Sequence, residues 1–201
     1  MNYENILSKY STPLFIYDCD KLEQRVNYLK NMLDTDLCYA IKANSFVIKE
    51  IEPLVSRIEI CSYGEYMICK DNGVKNDKMV LSGVNKNYDE FEKIIITDII
   101  EQYPEYKPQL QSQFKKITVQ KRELSRYGFS TYYTVTAGED TLGDGENLQL
   151  GKHQWNINGL DHGSDYILWI KNGFISCLEG FSYNEPWPDK ILWCEKIDNL
   201  R

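Results

Sequence analysis

The sequence predicts a mixed α/β chain in two parts. Residues 1–97 read as about four βα units, half of a (β/α)8 barrel, and residues 98–201 as a small α+β domain with an antiparallel β-meander. Three observations predict this. Short apolar runs alternate with helical stripes over the first half. The second half turns to β-branched and aromatic residues around Ile117. Lys171-Asn-Gly-Phe174 there has the Asn-Gly signature of a type I′ hairpin.

In chain order, Leu14-Phe-Ile-Tyr17 is a candidate strand entered through Thr12-Pro13, and Asp20-Lys-Leu-Glu23 has the spacing of a capping box. Leu22, Val26, Leu29 and Leu33 follow at helical spacing. Leu37 to Lys42 reads as a buried strand with Cys38, Ala40 and Lys42 on one side. Ser45 can cap a second helix through Val47, Ile51, Leu54 and Val55, ending near Pro53. Arg57–Cys61 is a third strand, and Ser62-Tyr-Gly-Glu65 opens a helix that Asn72-Gly73 closes. Met79–Ser82 is a fourth strand, Gly83 a tight turn, and Asn87 or Asp89 a helix start. Parallel strands with short loops carry chemistry at their C-terminal ends, here Lys42, Glu59 to Glu65, and Ser82 to Lys86.

In the second half, Pro104 at a first-turn position could open a helix through Tyr106, Leu110 and Phe114. Ile117–Glu123, Phe129–Thr136 and Leu148–Ile157 read as strands, and Gly138 to Asn147 as a polar loop. Tyr166–Lys171 and Phe174–Glu179 form the hairpin. Ile191–Cys194 adds an edge strand.

Composition bounds the function. Net charge is −7 and both halves are acidic, which argues against nucleic acid and anionic membrane as partners. No apolar run approaches the roughly 18 residues of a membrane span, and Met1-Asn-Tyr-Glu-Asn5 lacks the plan of a signal peptide. The six cysteines are scattered and read as reduced thiols of a cytoplasmic protein. No Cys/His cluster suggests zinc.

Lys42 is the chief candidate for chemistry. A lysine leaving an apolar strand is desolvated, which favours the neutral, nucleophilic amine that a Schiff base needs. The bland alternative is a strand-end lysine that snorkels to water. His153 and His162 are better read as solvated or hydrogen-bonded side chains than as a catalytic pair. Glu179 reads as a solvent-face residue rather than the partner of Glu185 in acid–base work, and the four tryptophans as core or cross-strand partners.

Four motifs in order carry a resemblance. Thr12-Pro-Leu-Phe-Ile-Tyr-Asp18, Tyr39-Ala-Ile-Lys-Ala-Asn44, Cys61-Ser-Tyr-Gly-Glu65 and Leu81-Ser-Gly-Val-Asn-Lys86 resemble the start of the alanine-racemase-type barrel. More narrowly they resemble the ornithine/diaminopimelate/arginine decarboxylase family. The resemblance implies a pyridoxal 5′-phosphate cofactor, a small amino-acid substrate and Lys42 as the Schiff-base lysine. It also implies cofactor contacts for Glu59, where the family usually has aspartate, and for Glu65 and Ser82.

The resemblance ends near Ile94 to Ile99. The family's stacking histidine, glycine-rich phosphate loop, Glu-Pro-Gly-Arg carboxylate and cysteine-aspartate segment have no counterparts; Glu185-Pro-Trp-Pro188 is no substitute. A truncated and fused barrel with weak cofactor binding and little or no decarboxylase activity is therefore expected. Two half-barrels could close on each other as a homodimer, or the second part could cover an open edge at Leu14–Tyr17 or Met79–Ser82. The alternative function is a non-catalytic binding or immunity-like module carried by residues 98–201.

Overall fold

The computed structural model describes residues 3–11, 13–82, 88–136 and 141–197. A short helix α1 (Tyr3–Leu7) precedes helix α2 (Cys19–Leu33). Asp18 rather than Asp20 caps α2, its carboxylate accepting from the Lys21 amide. Leu14–Tyr17 makes no strand. Phe15 is 87 % exposed there, and Ile16 and Tyr17 are exposed beside it; burial, more than propensity, holds a strand.

Strands β1 (Cys38–Ala40), β2 (Arg57–Ile60) and β3 (Met79–Ser82) pair in parallel. Helix α3 (Ile48–Ile51) with its flanking 3₁₀ turns joins β1 to β2. Helix α4 (Tyr63–Asp71) joins β2 to β3, capped by the Ser62 hydroxyl and closed at Asn72 with Gly73 at φ +78°. Asn44, not Ser45, caps the turn before α3, accepting from the Phe46 amide. The strand expected over Leu37–Lys42 is three residues long; Ile41–Ala43 winds into a 3₁₀ turn instead.

After β3 comes helix α5 (Tyr88–Glu101), then α6 (Lys107–Phe114) with Pro108 in its first turn. Gly83, the expected turn, and the Val84–Asn87 segment lie outside the described residues. Strands β4 (Ile117–Ser125) and β5 (Gly128–Val135) form a long hairpin. The run Leu148–Ile157 divides into β6 (Leu148–Leu150) and β7 (Gln154–Ile157), which pair with opposite ends of β8 (Ser164–Lys171). Gly151 sits at φ +149° between them, where an added Cβ would lie 2.2 Å from the Tyr166 carbonyl oxygen. Strand β9 (Phe174–Ser182) returns from β8 through Asn172 and Gly173, both at positive φ as a type I′ turn requires.

Strand β10 (Trp193–Lys196) is not an edge strand. It lies between β3 and β7, antiparallel to both, with Cys194 opposite Leu81 on one side and Ile157 on the other. The sheet order is β1-β2-β3-β10-β7-β8-β9-β5-β4. One ten-stranded sheet therefore crosses the 97/98 boundary, which itself falls inside α5.

Alternation sorts the sheet into two faces. Ile58, Ile60, Leu81, Cys194, Ile157, Leu168 and Leu178 point into one buried core beneath the helices, with Phe91, Ile94, Ile95 and Ile99 of α5 over them. Glu59, Ser82, Trp193, Glu195, Asn156 and Trp169 take the opposite, half-exposed face.

Candidate functional site

Because β1, β2 and β3 are parallel, the residues that follow them gather at one end of the sheet. Lys42 follows β1 inside the Ile41–Ala43 turn. Buried Ile41 anchors that turn, and the Tyr39 hydroxyl donates to the Asn44 carbonyl at 2.7 Å. The Lys42 side chain projects into solvent and makes no hydrogen bond or ion pair among the described residues. The desolvation expected of it is not provided: the strand stops short, and the lysine sits on the outside of a turn.

Glu59 and Ser82 do come together. Register places Glu59 beside Val80, and the Ser82 hydroxyl donates to the Glu59 carboxylate. Glu59 also faces Cys38, whose thiol is pushed up first by burial and then by the Glu59 charge. Glu65 has a local task. Its carboxylate accepts from the Cys61 amide at 2.6 Å while its own amide donates to the Ser62 hydroxyl at 3.2 Å. That is close to a capping box at the start of α4, with the carboxylate reaching the amide one residue before the Ser62 cap. The motif residues Gly83 to Lys86 lie outside the described residues. Only Glu59 and Ser82 touch among the four expected site residues.

About half of this chain is similar to diaminopimelate decarboxylase. The enzyme of that name from Helicobacter pylori J99 is 35% identical over 104 residues, 49% of this chain and 26% of that protein. The Campylobacter jejuni protein is 30% identical over 105 residues, 50% of this chain and 26% of its own. The Aquifex aeolicus protein is 27% identical over 103 residues, 50% of this chain and 24% of its own. The chain thus spans about a quarter of the length of the curated decarboxylases it matches. No family model matches the chain, and no solved structure matches it.

Among the described residues, the most heavily bonded carboxylates lie elsewhere, on α5, and sequence reading passed over both. Glu92 is buried and accepts from Arg122 Nε and Nη2 at 2.8 and 2.9 Å, from Thr131 at 2.5 Å and from Tyr133 at 3.0 Å. Asp98, also buried, accepts from Asn76 at 2.8 Å, Gln102 at 2.9 Å and Lys196 at 3.1 Å, with His153 Nδ1 at 3.2 Å. The available signal was an acid next to an apolar residue in a largely apolar helix, in Phe91-Glu92 and Asp98-Ile99. These carboxylates fasten α5 to strands of the second half. His153 is accordingly a hydrogen-bonded histidine, and exposed His162 lies 4.0 Å from Glu185. Glu179 is tied within the sheet, accepting from Trp169 Nε1 at 3.0 Å. Among the described residues, no group of three or more His, Cys, Asp or Glu side chains is placed to hold a metal ion.

A cleft of about 1000 Å³ lies on the helical side between α4, α5, α6 and β4. None of Lys42, Glu59, Glu65 and Ser82 lines it.

Proposed function

We propose that the chain derives from a pyridoxal-phosphate-dependent amino-acid decarboxylase and keeps its Schiff-base lysine, Lys42, without the enclosed site, so that it binds the cofactor weakly and turns over little or no amino acid. The observation that carries this is β10. A barrel would continue with another parallel strand beside β3, but β10 occupies that edge in the antiparallel sense. In this reading the first half is part of a barrel and the second a meander that finishes its sheet.

The residues present do not fit pyridoxal phosphate. When bound, such a cofactor supplies an electron sink, and the protein must orient it and exclude water. Here Lys42 is exposed, the Glu59 carboxylate is engaged by Ser82, and that of Glu65 by the α4 cap. An exposed amine can condense reversibly with aldehydes, but water has free access to any adduct. No catalytic step is therefore assigned to it.

The test is spectrophotometric titration with pyridoxal 5′-phosphate, followed by borohydride trapping and mapping of the modified lysine, with Lys42→Ala alongside. Weak, millimolar-range binding and no carbon dioxide release from basic amino acids are expected. Tight, Lys42-dependent binding with turnover of diaminopimelate would overturn the proposal.

A homodimer is supported by exposed apolar side chains in the segments that flank β1 in sequence. Phe15 is 87 % and Phe46 84 % exposed, and Met32 and Leu33 are exposed nearby in sequence to β1. Light scattering of the wild type against Phe15→Lys checks it; a monomer in both removes the support. Residues 98–201 are not expected to fold alone, since β10 needs β3 as a neighbour.

A further inference from the structure

The sheet is built into the core from one side. Helices α2 to α6 all bury residues in that core, and among the described residues no strand residue of the opposite face belongs to it. Yet the opposite face carries large apolar side chains. By register Val80 of β3, Trp193 of β10, Ile167 and Trp169 of β8, Phe181 of β9 and Tyr132 of β5 share it. Tyr132 and Trp193 are each 37 % exposed, and the other four are half-buried. A sheet stabilises such a face by burying it against a second layer.

The charges on this face do not balance. Its strand bases are Arg57, Lys121 and Lys171; its strand acids are Glu59, Glu123, Asp165, Glu179 and Glu195. Arg57 pairs with Glu195 at 2.5 Å, and Lys121 pairs with Glu123. Lys171 stands at the far end of β8 from Asp165, beside the Asn172-Gly173 turn. Glu59, Asp165 and Glu179 make no ion pair among the described residues. Their donors are neutral: the Ser82 hydroxyl, the Tyr183 hydroxyl and Trp169 Nε1. Asp165 lies opposite Phe181 and Glu179 opposite Ile167, so these two carboxylates are diagonal neighbours on β8 and β9. Two acids without a cation thus sit among Ile167, Trp169 and Phe181.

We propose that this open face docks a basic amphipathic helix of another protein, its apolar stripe on Ile167, Trp169 and Phe181 and its lysine or arginine side chains on Asp165 and Glu179. A guanidinium or ammonium group there meets both carboxylates and aromatic rings, each of which favours a cation. The broad sheet surface suits a helix better than a small molecule, which needs a concave site. A second copy of this chain is disfavoured, because a two-fold contact would set the acidic patch against itself. The surface is independent of Lys42, which follows β1 at the other side of the sheet.

The experiment is fluorescence anisotropy of the full chain with a labelled amphipathic leucine–lysine helix, at about 0.15 M salt to screen long-range attraction. A leucine–glutamate helix is the counterpart of opposite charge. Saturable one-to-one binding of the basic helix is expected, weakened about tenfold or more in Asp165→Asn/Glu179→Gln. Ile167→Thr, which keeps a β-branched side chain, should weaken it as well. Glu23→Gln/Glu50→Gln removes the same charge from exposed positions on α2 and α3 and should leave it little changed. Circular dichroism melts show whether each variant remains folded. Absence of saturable binding would overturn the proposal. So would equal affinity for the acidic helix, undiminished binding to folded Asp165→Asn/Glu179→Gln or Ile167→Thr, or an equal loss in Glu23→Gln/Glu50→Gln. A dimer in light scattering that Ile167→Lys dissociates would assign the face to a second copy and overturn it too.

Discussion

Replacing Glu92 by leucine should cost about 3–5 kcal/mol of stability, the range for breaking one side of a buried ion pair. The structure gives the parts of that figure. The Thr131 and Tyr133 hydroxyls would each lose an acceptor in buried surroundings, at about 1–3 kcal/mol apiece. Arg122 contributes less, because its side chain is 25% exposed and keeps Asp89 as a partner. The assay is urea unfolding followed by circular dichroism. With a slope of about 2–3 kcal/mol per molar, the midpoint should fall by roughly 1–2 M. Arg122→Leu alone should also be costly, since Glu92 would remain buried with only hydroxyl donors. The double variant should cost less than the two singles together by about 1–3 kcal/mol, because nothing charged is then left buried. Asp89→Asn, at a side chain 55% exposed, should change stability by less than about 1 kcal/mol. A Glu92→Leu cost under about 1 kcal/mol, or an additive pair, would refute the view that this cluster fastens α5 to the β4–β5 hairpin.

Three further outcomes are expected. Burial is the leading cause that pushes the Tyr66, Tyr133 and Tyr166 hydroxyls above the usual tyrosine range. The folded state holds these protons more tightly, so their contribution is intact below about pH 10 and lost as pH rises beyond it. Urea midpoints should drop steeply there, and a flat profile would contradict the burial. Cys69 is pushed up to about 12 and Cys177 to about 11, each first by burial, so an aromatic disulfide reagent at pH 8 should modify exposed Cys19 first and fully buried Cys69 and Cys194 only on unfolding. A single kinetic phase for all six thiols would refute that order. Gly180→Ala places a Cβ 2.4 Å from Phe129 Cε1 and 2.8 Å from Tyr166 Cε1, and should lower stability by about 1–3 kcal/mol in thermal melts.

Local signals in the sequence located most elements. The Ser62–Glu65 cap, the Asn72-Gly73 stop and the Asn172-Gly173 turn all depend on neighbours a few residues away, and their chemistry is written in the residues themselves. The mixed α/β class followed from the same signals. What sequence could not show was long-range pairing. Ile191–Cys194 read as an edge because nothing local says that Cys194 will face both Leu81 and Ile157. Lys42 shows the same limit in the site. Its motif points to descent, but whether a strand-end lysine is desolvated depends on what packs above it. Leu14–Tyr17 has the composition of a strand and fails for want of a covering layer.

The position of β10 also has a consequence in time. A chain emerging from the ribosome exposes Met79–Ser82 long before Trp193–Lys196 is made, and β10 must then slot between two strands already present. Until β10 arrives, the nascent sheet has an unfilled seam with apolar Leu81 and Ile157 at its lips. Such a protein depends on β10 for solubility during synthesis, and a premature stop near residue 190 would leave an aggregation-prone product rather than a smaller folded one.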